Sequence, residues 1–77
     1  MMKDIIKNRI LEKASAVTFE YRGIIGGVDP ISSREFNMWY NDEAITVFSI
    51  DEVMNKKLFN GNSLAEIADD LEEIDGL

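Results

Sequence analysis

Hydrophobic positions at the start of the chain recur at the spacing of an amphipathic helix. The residues on one helical stripe are Met2, Ile5, Ile6, Ile10 and Ala14, with Leu11 beside them. The lysines at positions 3, 7 and 13 fall away from this stripe. Because apolar residues three and four positions apart share one side of a helix, the pattern predicts a helix over residues 2–14.

The hydrophobic period changes to two after this helix. Val17, Phe19 and Tyr21 alternate with polar residues, which predicts a strand over about 16–22, with a longer extension left open. The segment that follows carries three glycines and the only proline of the chain. Since glycine and proline are the strongest local turn signals, we expect a loop over residues 26–33.

Residues 35–49 carry two β-rich runs on either side of the dipeptide Asn41-Asp42. Aromatic and β-branched residues favour strands, and Asn and Asp accept the backbone of a tight turn, so the segment predicts a β-hairpin. A two-residue turn gives the predicted core face Phe36, Met38, Ile45 and Val47. The opposite face carries Glu35, Asn37, Trp39, Ala44, Thr46 and Phe48.

A helix over residues 31–40 is the alternative to the first strand of this hairpin. Asp29-Pro30 suits the first turn of a helix, and the apolar residues that could share one side are Ile31, Phe36, Trp39 and Tyr40. The strand is favoured because the aromatic run continues directly into a turn signal and a second β-rich run.

Two capping signals predict two helices in the last third of the chain. Ser49 with Glu52, and Ser63 with Glu66, fit the box in which each side chain bonds the other residue's backbone N–H. Asn60-Gly61 between them suits a helix end. The residues of the last helix that are expected to face the core are Leu64, Ile67, Ala68, Leu71 and Ile74.

These elements together predict one α+β domain over residues 1–77. Its order is an N-terminal helix, a three-stranded antiparallel meander sheet and two short C-terminal helices, with the first helix on the core face. A chain of 77 residues, of which 45% are hydrophobic, has material for one small core.

The composition removes most catalytic and metal chemistry. The chain has no Cys and no His, which excludes disulfides, thiolate nucleophiles, Cys-ligated zinc and proton transfer by histidine. Gly23, Gly26 and Gly27 fit neither the dinucleotide fingerprint nor a P-loop, and the C-terminal carboxylates lack the spacing of a calcium loop. We therefore expect no enzymatic activity, no cofactor and no metal site.

The charge of the chain is acidic and lies mostly in its second half. The net charge is −7, and residues 41–77 hold two basic and ten acidic side chains. Because nucleic acids and anionic membranes attract Lys and Arg, neither is an expected partner. There is no apolar run long enough for a membrane span or a secretory signal, so a soluble cytoplasmic protein is expected.

Two bulky aromatic residues on the polar face of the predicted hairpin motivate the first functional hypothesis. Trp39 and Phe48, joined by Tyr21 and Glu35, would form a contact patch for an unidentified partner protein, since aromatic residues are enriched at interaction centres. The competing interpretation is that a C-terminal helix covers Trp39. A homodimer through the third strand or the outer sheet face is compatible with the patch.

An acidic ridge on the predicted last helix motivates the alternative hypothesis. Glu66, Asp69, Asp70 and Glu73 follow the spacing of one helix face. Such a row is either a solvated surface or a decoy that occupies a basic groove made for nucleic acid. The predicted element order, with its acidic C-terminal half, resembles the general plan of small phage-encoded inhibitors that mimic nucleic acid, including anti-CRISPR proteins of the type II-A group. That resemblance implies a decoy of this kind.

Overall fold

A computed structural model of the chain describes residues 2–13 and 15–76, and within them the chain forms a mixed α+β fold. The helices are α1 (Met2–Lys13), α2 (Ile50–Asn55) and α3 (Leu64–Ile67), the last followed by a 3₁₀ turn over Ala68–Asp70. The strands are β1 (Val17–Tyr21), β2 (Ile24–Ser32), β3 (Glu35–Tyr40), β4 (Glu43–Val47) and β5 (Glu72–Asp75). The α+β class and the N-terminal helix are confirmed, while Ala14 of the predicted helix lies outside the described residues.

The strands form one sheet in the order β4-β3-β2-β1-β5, and each neighbouring pair is antiparallel. The prediction of a three-stranded meander is therefore wrong in two places. Most of the predicted loop over residues 26–33 belongs to β2, and the end of the predicted last helix is β5. The described sheet has five strands.

Gly26 and Gly27 lie inside β2 because their neighbours leave no room for a side chain. A Cβ at Gly26 would lie 2.8 Å from the carbonyl oxygen of Trp39, and one at Gly27 would lie 2.7 Å from that of Val17. A glycine can mark a close approach inside a strand, and it does not always mark a turn. The chain turns instead at Arg22-Gly23, where both φ angles are positive, at 54° and 77°.

The C-terminal segment leaves the helical conformation after the 3₁₀ turn and joins the sheet. It pairs with β1, where the register partners are Thr18 with Asp75 and Glu20 with Glu72. Without β5, one edge of β1 would present unpaired backbone groups, and pairing them outweighs the helical preference of these residues. The helix predicted to continue through Leu71 and Ile74 is therefore wrong.

The central hairpin forms as predicted. The register partners in β3 and β4 include Tyr40 with Glu43, Met38 with Ile45, and Phe36 with Val47. Asn41 in the turn has a positive φ of 58°, which Asn tolerates better than most residues. The predicted core face is buried except for Ile45, which is half-buried, and the alternative helix over residues 31–40 is not formed.

The described helices pack on one face of the sheet, which we call the inner face. The buried residues that they and the connecting loop supply are Ile6, Ile10, Val53, Met54, Leu58, Phe59, Leu64, Ile67 and Ala68. The strands supply Val17, Phe19, Tyr21, Val28, Phe36, Met38, Tyr40 and Val47. The apolar stripe of α1 is narrower than predicted, because Ile5 and Leu11 are exposed.

The capping box predicted for α3 is present in full. The Ser63 hydroxyl accepts from the Glu66 N–H at 3.3 Å, and the Glu66 carboxylate accepts from the Ser63 N–H at 2.8 Å. Asn60-Gly61, predicted to end the preceding helix, instead forms a tight turn between the bridge partners Phe59 and Asn62. Helix α2 has already ended at Asn55.

The start of α2 shows one half of its predicted box. The Ser49 hydroxyl accepts from the Glu52 N–H at 3.1 Å, as expected. The Glu52 carboxylate, however, accepts from the backbone N–H of Phe48 at 3.1 Å. This contact places a carboxylate just beyond the end of β4.

Candidate functional site on the outer face of the sheet

The second face of the sheet, which we call the outer face, carries none of the described helices. By strand alternation it presents ten residues: Thr18, Glu20, Ile25, Gly27, Asp29, Glu35, Asn37, Trp39, Ala44 and Thr46. Ile25 is 66% exposed, and Ala44 and Thr46 are exposed as well. Because Leu64 and Ile67 of α3 belong to the inner core, the interpretation in which a C-terminal helix covers Trp39 is wrong.

Trp39 lies near the centre of this face, against the backbone of β2. Its register partners are Ala44 on β4 and Gly27 on β2. A Cβ at Gly27 would lie 2.5 Å from Cζ2 and 2.8 Å from Cη2 of the indole. The ring therefore reaches across the neighbouring strand at the one position where no side chain stands in its way, which explains why Trp39 is half-buried without a covering helix.

A shallow open depression adjoins Trp39 on β3 and β4. Its lining includes Asn37, Trp39, Ala44 and Thr46. The Thr46 hydroxyl donates to the Asn37 side-chain oxygen at 2.9 Å, which pairs one donor with one acceptor in this depression. The surface next to the indole is consequently low and only weakly polar, with no charged side chain among its lining residues.

Phe48 is 63% exposed, but it does not adjoin Trp39. The partner of Trp39 is Ala44, and Phe48 lies four residues further along, which corresponds to roughly 14 Å at the rise of a strand. The Asn37–Thr46 pair lies between the two aromatic residues. Glu35 is exposed at the start of β3, near the Phe48 end, so the predicted patch consists of two separate parts.

Tyr21 does not belong to the candidate site. It is buried on the inner face, and its backbone carbonyl accepts a hydrogen bond of 2.8 Å from the hydroxyl of Tyr40. Its own hydroxyl accepts from Arg22 Nε at 3.3 Å and from Asn62 Nδ2 at 3.5 Å. Alternation from Val17 places Tyr21 on the same side as Phe19, so the inner placement was available from the sequence.

Burial affects the titration of this inner tyrosine pair. Desolvation raises the pKa of Tyr40, with a further contribution from the nearby Tyr21. The pKa of Arg22 is raised because its side chain hydrogen-bonds the Tyr21 hydroxyl. Both shifts keep these groups in their ordinary protonation states near neutral pH.

The acidic ridge predicted on the last helix is not formed. Glu66 lies on α3, Asp69 and Asp70 lie in the 3₁₀ turn, and Glu73 lies in β5 with a positive φ of 52°. Asp69 accepts from the backbone N–H of Met2 at 3.1 Å, which ties α1 to the 3₁₀ turn. A single helical row through these four carboxylates does not exist.

Glu66 itself is engaged in local contacts. It forms an ion pair with Lys57, and it accepts the Ser63 N–H in the capping box. The hydrogen bond from Lys57, followed by those from Ser63, lowers the pKa of Glu66 from 4.5 to about 2. Its charge therefore stabilises local structure at neutral pH.

Carboxylates do lie on the outer face. One is Asp29 of β2, the register partner of Asn37, and others lie at the β1–β5 side. Glu20 and Glu72 are register partners, and Asp75 is the partner of Thr18. Ile25, the partner of Glu20 on the other side, is the exposed apolar residue that the sequence reasoning missed. Its place could have been found only by extending β2 through the glycines.

The described residues 2–13 and 15–76 contain no cluster of three or more side chains of the metal-ligating types. In the same part of the chain, every helix is too short or too polar to cross a membrane. Comparison with known protein families, with curated proteins and with solved structures finds no match to this chain.

Proposed function

We propose that this chain is a small, non-enzymatic interaction module that binds a partner protein through the outer face of its sheet, with Trp39 at the centre of the contact. The observation that supports the proposal is the position of Trp39. The indole lies against the Gly27 backbone on a face that carries none of the described helices. Tryptophan in such a setting offers a large, rigid contact area, which is typical of interaction centres.

The surroundings of Trp39 support the same function. Ile25 and Ala44 add exposed apolar surface, and the hydrogen bond from Thr46 to Asn37 already pairs one donor with one acceptor beside the indole. Phe48 and Glu35 then form a second, peripheral contact at the far end of the face. The acidic decoy requires a continuous row of carboxylates, and because that row is absent the outer face is the better-supported site.

Cross-linking of the tagged chain in the cells that produce it tests this proposal. A partner captured by the native chain is expected to be lost, by about tenfold or more, when Trp39 is replaced by Ala. The matched control is Ile5→Ala, which removes an exposed apolar side chain from α1 on the opposite side of the molecule. Equal capture by the native chain and by Trp39→Ala would contradict the proposal.

A further inference from the structure

The backbone of β4 is exposed along one edge of the sheet, and the register identifies which groups are free. The Asn41 N–H donates to the Ile25 carbonyl at 3.3 Å. At this end of β3, the backbone N–H and C=O groups of the odd-numbered residues therefore point toward β2. The backbone groups of the even-numbered residues then point toward β4. Tyr40 and Glu43 are accordingly a hydrogen-bonded pair, as a two-residue hairpin requires. The N–H and C=O groups of Ala44 and Thr46 consequently point away from the sheet.

The two edges of the sheet differ in how they meet solvent. The edge strand β5 has four residues, of which three carry carboxylates. A positive φ at Glu73 also interrupts its regular extended backbone. Short length, charge and irregularity are the usual protections against pairing with another chain. β4 instead pairs over five regular positions, and its centre, Ala44-Ile45-Thr46, carries no charge. The unprotected edge is therefore β4.

Charged groups lie at both ends of this free edge. Asp42 and Glu43 stand at the turn, and Glu52 stands at the start of α2; all three are exposed. The Glu52 carboxylate holds the Phe48 N–H, so it lies where a further strand would continue. An added strand would thus meet negative charge at each of its ends.

A second copy of this chain does not suit the edge. In the antiparallel register that uses all four free backbone groups, Ala44 of one copy faces Thr46 of the other. That register sets Asp42 opposite Phe48 of the second copy, beside the Glu52 carboxylate that holds the Phe48 N–H. The repulsion occurs twice by symmetry, and like charges across a strand pair are destabilising.

We propose that the free edge of β4 receives an extended segment of the partner protein as a sixth strand. The segment carries uncharged, β-favouring residues at its centre and Lys or Arg at both ends. Main-chain hydrogen bonds to Ala44 and Thr46 supply the attachment. The flanking cations meet Asp42 and Glu43 at one end and Glu52 at the other. This inference rests on the proposed function, because it specifies how the partner protein is held.

A synthetic peptide tests the edge without knowledge of the partner. The probe is acetyl-Lys-Val-Thr-Val-Thr-Val-Lys-amide, added at about 1 mM to the isotope-labelled full chain. The expected result is at least about tenfold slower hydrogen exchange at the Ala44 and Thr46 amides, with the amides of the buried core unchanged. The same peptide with Glu in place of both lysines is expected to give no protection.

A proline substitution separates edge pairing from any other contact. Thr46→Pro removes the outward N–H without touching the β3–β4 ladder, whereas Thr46→Ala loses the same side-chain bond to Asn37 and keeps the N–H. Protection of the Ala44 amide is expected in Thr46→Ala and not in Thr46→Pro. If Thr46→Pro does not fold, a peptide N-methylated at alternate residues makes the same comparison on the native chain.

Several outcomes would overturn the inference. The first is that neither the Ala44 nor the Thr46 amide is protected, and the second is that the Lys and Glu peptides protect them equally. The third is protection at high protein concentration without peptide, which would assign the edge to a second copy.

Partner capture distinguishes the two proposals. Loss of capture in Trp39→Ala with full capture in Thr46→Pro would remove the edge and retain the outer face, while the reverse result would remove the outer face.

Discussion

The inner and outer faces of the sheet are built from the same strands, yet they hold their large aromatic residues in different ways. Phe36 on the inner face is 1% exposed and lies under the helices, whereas Trp39, three residues later, lies on a glycine and keeps part of its ring in water. On the inner face, large apolar side chains from the helices and the strands pack around the aromatic rings. On the outer face, the Trp39 indole fits because Gly27 has no side chain. The difference shows that a large aromatic residue can be held in place without becoming part of the core.

Truncation of Phe36 and of Trp39 tests this difference most strongly. Phe36→Ala is expected to lower the free energy of unfolding by about 3–5 kcal/mol, because it leaves a cavity between the layers. Trp39→Ala is expected to cost only about 1–2 kcal/mol, because the indole is half-buried and leaves no enclosed cavity. Urea unfolding of the two variants measures both values. Equal losses would mean that Trp39 is a core residue.

Gly27 tests how Trp39 is held on the outer face. Gly27→Ala is expected to cost about 1–3 kcal/mol, since its Cβ would meet both the indole and the Val17 carbonyl oxygen. The cost is expected to be smaller when Trp39 is already Ala, because only the contact with the carbonyl remains. Urea unfolding of the two single variants and the double variant gives this coupling. Strict additivity would show that the indole does not lie on Gly27.

Tyr40 tests how the inner face satisfies its buried polar groups. Tyr40→Phe leaves the Tyr21 carbonyl without its 2.8 Å hydrogen bond and is expected to cost about 1–1.5 kcal/mol. Tyr21→Phe is the matched control, because it removes a hydroxyl whose bonds to Arg22 and Asn62 are longer and only partly buried. The control is expected to lose less in thermal unfolding. A larger loss in Tyr21→Phe would reverse this assignment.

The smallest expected effect is the contribution of Glu66, at the start of α3, to the free energy of unfolding. Its pKa in the folded chain is about 2, below the ordinary 4.5, so folding favours the charged form. The stabilisation is fully present above about pH 4.5 and is lost as the pH falls from there toward 2. In Glu66→Gln the free energy of unfolding should therefore fall less steeply over this interval. An unchanged slope would show that the contacts with Lys57 and Ser63 do not stabilise the fold.

The parts of the fold that were predictable are those set by local pattern. The hairpin of β3 and β4 follows from alternation around Asn41-Asp42, and its register and core face are as expected. The N-terminal helix and both serine caps follow from spacing and from side-chain chemistry in the same way.

The remaining elements depend on partners distant in the sequence. Gly26 and Gly27 resemble turn residues until Trp39 and Val17 are placed beside them. The last residues resemble a helix until β1 offers an edge to pair with. For the site, alternation placed Trp39 on the outer face, but neither its glycine platform nor the exposed Ile25 could be recognised without β2.

Trp39 is the only tryptophan of the chain. Replacing it with 5-hydroxytryptophan during expression gives a fluorescence signal that can be excited apart from the tryptophans of a partner and that reports on the outer face alone. The most direct measurement is acrylamide quenching of the folded chain, repeated with the captured partner bound. We expect clear quenching in the free protein and strong protection in the complex, since the partner covers the exposed side of the indole. An indole already shielded in the free protein, or quenched equally in the complex, would contradict the assignment of this face as the binding site.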